Sequence, residues 1–146
     1  TYSTDRYIEA IAEDNGITYS EAFATNISDA TRFNEQKLGA MIRMGRDLIF
    51  DQTNLGIGKR KKILNRMKQE QYTVECICLL PPHSEMIDDQ IRWRNRLEGR
   101  PGKVIPKHIL ANMLENFVVP TIGEGFESVY YYNMDGIEVG KDYYDQ

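Results

Sequence analysis

Two aspartates stand where the chain changes character. Asp51 closes the apolar trio Leu48-Ile49-Phe50 in LIFDQTNLGIGKR, and Asp5 follows the short opening run TYST. In open α/β sheets ligands gather at the carboxyl ends of strands. Two carboxylates at adjacent strand ends can hold Mg²⁺, or one of them can take the proton of a reacting hydroxyl. Capping of the following helix accounts for the same residue types at the same places.

Two further stretches bear on the chemistry. LGIGKR invites comparison with the phosphate-cradling G-x-x-x-x-G-K-[ST] loop, and it fails the comparison. Arg60 follows Gly58-Lys59 where Ser or Thr is required, and Thr53 stands where the first glycine belongs. Gly56 and Gly58 are therefore expected to be turn residues, and Lys59, Arg60, Lys61 and Lys62 a solvated helix face. The second stretch is RWRNRLEGRPGK. On a helix Arg92 and Arg96 share a face, with Arg100 in the loop beyond. Fork-shaped guanidinium groups neutralise several oxygens of a transferring phosphoryl group at once. A surface helix laced with ion pairs is the plainer alternative. Trp93 beside these arginines suits base stacking or partly buried packing equally.

These residues need a scaffold that places them. The 146 residues suit about one domain, with 41% apolar and 27% charged residues. Apolar spacing predicts helices over about 5–14, 28–44, 59–68, 83–98 and from Pro106 to about Phe117, the last with Ile109, Leu110 and Met113 inward. Strands are predicted over 47–51, 72–80 and SVYYYN. The first, with Leu48-Ile49-Phe50, lacks polar alternation, which suggests a strand covered on both faces as in a parallel sheet, and the second is also strongly apolar. The expectation is an α/β fold with a mostly parallel sheet flanked by helices, covering 1–133. An acidic, tyrosine-rich tail, expected to be loosely ordered, occupies 134–146.

Charge is unevenly spread. The net charge is −4, yet between Arg92 and Lys107 six basic residues face the single acid Glu98. Such a segment either solvates a helix or meets an anion. No run approaches the roughly 18 apolar residues of a membrane helix. Cys76 and Cys78, one residue apart in a predicted strand, are poorly placed to bridge each other, so a reducing, cytoplasmic setting is expected. The two histidines, His83 and His108, and the two cysteines do not have zinc-ligand spacing.

In order, S-T-D-R-Y-I (3–8), F-D-Q-T-N-L (50–55), R-W-R-N-R (92–96), G-R-P-G-K-V-I-P (99–106) and P-T-I-G-E-G-F (120–126) resemble the polynucleotide-kinase-like P-loop kinases, which include the 5′-kinase domain of phage polynucleotide kinase. The resemblance runs from Ser3 to about Asn133. It implies a P-loop NTPase-type fold and ATP-dependent phosphorylation of a hydroxyl with Mg²⁺. Asp5 matches the general base, with Arg6 and Tyr7 beside the acceptor. Asp51 matches the acid that ends the Walker B strand near Mg²⁺, and Thr53 and Asn54 line the phosphate end. Arg96 and Arg100, supported by Arg92, match a lid over ATP at about 92–104.

The pattern also departs from the family. Ile8 stands where the phage polynucleotide kinase has the arginine that binds the acceptor phosphate, so the acceptor is open: a nucleic-acid 5′ end, a nucleotide or another small hydroxyl compound. The family's opening strand, P-loop and helix are absent from these 146 residues, and the chain is expected to be part of a longer protein. A remnant with weak or no ATP binding is the other case. Non-catalytic modules of the heterogeneous nuclear ribonucleoprotein U type also carry D-Q-T-N, so an RNA- or nucleotide-binding role is the alternative, and partner binding through the lid helix a third.

Overall fold

The computed structural model describes residues 1–81, 88 and 105–144. They fall into two compact units. The first is built on Thr1–Thr53, the second on 54–81 and 106–144.

The first unit is a helical hairpin with a short extended segment. Helix α1 (Thr4–Asn15) begins after Ser3, whose extended backbone sits at the N-cap without a side-chain cap bond. Asp5 in its first turn complements the positive end of the helix dipole. Gly16 stops the helix at φ +62, a left-handed conformation that glycine adopts without a Cβ penalty. Ile17 N–H then returns to Ala12 C=O at 3.0 Å. Helix α2 (Tyr19–Arg43) starts nine residues before the predicted Ser28. The cause is local: Thr18 and Glu21 form a capping box in which each side chain accepts the other's backbone N–H. Ile8, Ala12, Ala22 and Ala30 form the buried contact between the helices, with Tyr7, Ile11, Tyr19 and Ile27 packed around it.

The predicted strand 47–51 is reduced to a single parallel bridge between Tyr2 and Phe50. Tyr2 N–H donates to Ile49 C=O at 2.7 Å, and Asp51 N–H donates to Tyr2 C=O at 3.0 Å. Ile49 is 66% exposed, so this segment is not covered on both faces.

In the second unit, Gly56 caps helix α3 (Ile57–Gln69) with extended backbone. Arg60, Leu64 and Met67 form its buried stripe. Strand β1 (Glu75–Leu79) pairs in parallel with β2 (Ser128–Tyr132), which pairs antiparallel with β3 (Glu138–Tyr143). The described sheet is thus mixed rather than mostly parallel, and the segment expected as a loose tail supplies its third strand. Leu64, Phe126 and Val129 form the core, with Val74, Cys76, Ile122 and Tyr131 against it. Only one face of β1 is covered: Cys78 is buried, while Ile77 and Leu79 are 70% and 72% exposed. Both cysteines are free thiols. Helix α4 (Lys107–Glu115) has Pro106 as its N-cap and no fully buried residue. Ile109, expected inward, is exposed, and Leu110 and Met113 are half-buried. Among the described residues no helix is long and apolar enough to cross a membrane.

Candidate functional site

The first unit holds both aspartates. The Tyr2–Phe50 bridge is parallel, so the two segments run in the same direction and leave it at the same end. Asp51 follows Phe50 directly and is exposed. Asp5 follows three residues after Tyr2, in the first turn of α1, and is half-buried. The ring of Tyr2 stacks on Phe50 at 5.3 Å and stiffens this short pairing.

Asp5 is oriented from α2. Tyr19 Oη donates to Asp5 Oδ1 at 2.6 Å. Burial raises the Tyr19 pKa above the ordinary phenol value, and the hydrogen bond to Asp5 adds to the shift. The phenol therefore remains a donor across neutral pH. Arg6, beside Asp5, is exposed. Tyr7 instead packs toward the helical core, its ring 5.1 Å from that of Phe33. Ile8 is completely buried in that core, so the position itself faces α2. Thr53 is exposed.

In the second unit, Asn54 is half-buried and holds the left-handed φ of +43. Its Oδ1 is enclosed, and among the described residues it has no hydrogen-bond partner. The expectation for Arg60 is corrected here. Lys59, Lys61 and Lys62 are exposed, but Arg60 is only 4% exposed. It makes a bidentate pair with Glu124, Nε to Oε2 and Nη2 to Oε1, both at 2.8 Å. Its Nη1 donates to Asn54 C=O at 3.0 Å and Leu55 C=O at 2.8 Å. The Glu124 hydrogen bonds raise the Arg60 pKa further. Sequence reading missed this residue because a run of four basic residues looks uniform. The signal was the spacing Arg60, Leu64, Met67, which puts the arginine on the apolar stripe. Gly56, the N-cap, is a turn residue as expected, whereas Gly58 lies inside α3, which begins two residues before the expected Lys59; both glycines have open space around them.

Arg92, Arg96, Arg100, Trp93 and the predicted helix 83–98 lie outside the described residues, apart from Asp88, whose carboxylate pairs with Lys107 at 2.9 Å. Among the described residues no three potential ligands cluster in a metal site. A lone exposed carboxylate at Asp51 still fits magnesium, which takes one or two carboxylates and fills its shell with phosphate oxygens and water. The enclosed acceptor of Asn54 is an atom whose partner a ligand could supply.

A family model described as "AAA domain" matches residues 2–120. No curated protein and no solved structure gives a match to the chain.

Proposed function

The chain belongs to this AAA domain family, P-loop NTPase-like kinases of α/β fold that bind nucleotides, and from that membership we propose an ATP-dependent phosphotransferase of polynucleotide-kinase-like type acting on a hydroxyl acceptor. The observation that carries the reading is the parallel bridge, which sends Asp5 and Asp51 out of the same end of one extended pair.

Asp5 is the general base. Its Oδ1 is held by the Tyr19 hydroxyl, so the carboxylate has a fixed orientation toward an incoming hydroxyl. Asp51, with its exposed carboxylate, would hold Mg²⁺. Bound ATP·Mg²⁺ supplies the electrophilic phosphoryl group, whose loose transition state is helped mainly by positioning and charge neutralisation. As the family resemblance implies, Thr53 and Asn54 would contact the phosphates, and Arg92, Arg96 and Arg100 would neutralise phosphate charge. Exposed Arg6 is the acceptor contact beside the base. Because position 8 is a core isoleucine, acceptor phosphate is not read there, and the acceptor is a nucleic-acid 5′ end or a nucleotide held by other groups.

Asp5→Asn tests the assignment in the native protein. Turnover with ATP and a panel of 5′-hydroxyl oligonucleotides and nucleosides should fall by about a hundredfold or more, with ATP affinity unchanged. Undiminished turnover would remove Asp5 from the base role. No transfer by the wild type, with RNA binding that weakens steeply with salt, would support the non-catalytic module instead.

A further inference from the structure

Arg60 does more than fill a helix face. All three guanidinium nitrogens are engaged, two on Glu124 and the third on the consecutive carbonyls of Asn54 and Leu55. Leu55 C=O is held from a second side, since it also accepts Val118 N–H at 3.0 Å. Glu124 is fixed in turn: Oε1 accepts Thr121 N–H at 3.2 Å in a capping box. The residue at the end of this chain of contacts is Asn54, whose backbone is left-handed, a conformation that asparagine adopts more readily than other non-glycine residues. Among the described residues its enclosed Oδ1 has no hydrogen-bond partner, an arrangement that costs stability unless a water or ligand supplies one.

We propose that Arg60, oriented by Glu124, is a positioning residue for nucleotide binding: it clamps the Asn54–Leu55 backbone and so fixes the Asn54 amide. The proposal rests on the phosphotransferase reading. A buried ion pair that served the fold alone would be replaceable by uncharged groups of similar size at little cost. The clamp is not replaceable in that way, because Asn54 and Leu55 would lose their donor.

The experiment compares wild type, Arg60→Met, Arg60→Lys and the double variant Arg60→Met/Glu124→Gln. Gln at 124 can still accept the Thr121 N–H, so the double variant keeps the turn and leaves no buried unpaired charge. Three quantities are read: the thermal unfolding midpoint, amide exchange at Val118, and KM for ATP·Mg²⁺ against kcat. The double variant should regain the part of the stability lost in Arg60→Met that comes from the unpaired Glu124 charge, and not the part lost with the Asn54 and Leu55 carbonyl contacts. Its KM for ATP should stay raised by on the order of tenfold, with kcat changed less and Val118 exchange faster. Arg60→Lys, which keeps the charge without the fork, should fall between. A double variant with wild-type KM and wild-type Val118 protection would overturn the proposal and leave the phosphotransferase reading standing. A wild-type protein that transfers no phosphate would overturn both.

Discussion

Tyr19 Oη lies 2.6 Å from Asp5 Oδ1, so the first residue of α2 orients a carboxylate in the first turn of α1. Because burial and this hydrogen bond raise the Tyr19 pKa, the folded protein keeps the phenol protonated where the unfolded chain would ionise it. The resulting stabilisation is fully present below the unfolded value of 10.0 and is lost as pH rises above it. The stability difference between wild type and Tyr19→Phe should therefore shrink above pH 10 while remaining level at neutral pH. Urea unfolding across that range checks it; a difference constant with pH removes Tyr19 as the donor.

Thr18 and Glu21 make the start of α2 a local event. Thr18→Ala should cost about 1 kcal/mol and fray α2 toward Ser28. Glu21 has its pKa lowered by the Thr18 backbone N–H and then by the Thr18 hydroxyl. Its contribution is present above the unfolded value of 4.5 and disappears as pH falls through the lower folded value. Thermal melts should show the acid limb of wild-type stability flattened in Glu21→Gln.

Gly125 ends the short 3₁₀ turn at φ +109, and a Cβ there would stand 2.6 Å from Lys68 Nζ. The lysine tip can move away; the backbone cannot easily change sign. Gly125→Ala should destabilise by about 1–3 kcal/mol, and adding Lys68→Ala should recover little of it. Full recovery in the double variant would mean that contact, not backbone conformation, sets the cost.

Burial raises the Cys76 thiol to about 11 and moves Cys78 in the same direction, despite the opposing charge of Arg60. Little thiolate exists at neutral pH, and thiolate is the reactive form. Modification by a disulfide reagent at pH about 8 should be far slower in the native protein than in urea. Fast, equal labelling in both states would contradict the burial.

The sequence was most legible where periodicity and punctuation agree. The helix expected over about 5–14 is α1 (Thr4–Asn15), within a residue at each end. Asp5 and Asp51 were found from their places at strand ends, although a single bridge replaces the expected longer strand. The start of α2 at Tyr19 rather than near Ser28 is set by T-Y-S-E, whose Thr18 and Glu21 form a capping box that apolar periodicity does not show. Strand β3 was missed because E-V-G-K-D-Y has no apolar alternation. The hairpin signal lay in Asp135-Gly136, where Asn133 Oδ1 accepts the Asp135 and Ile137 N–H groups. Arg60 and Glu124 were not legible as a pair, since 64 residues separate them and nothing local to either points to the other.

β3 also bears on where the protein can be shortened. Composition invites a boundary at Asn133, ahead of the acidic tyrosine-rich residues. A chain cut there would strip the partner from Ser128–Tyr132 and leave a row of unsatisfied N–H and C=O groups beside Tyr130 and Tyr132. Such a bare, aromatic edge is a template for intermolecular pairing. Expression of a fragment ending at 133 should yield aggregates, and a soluble fragment has to retain residues through Tyr144, whose N–H still bonds Glu127 C=O.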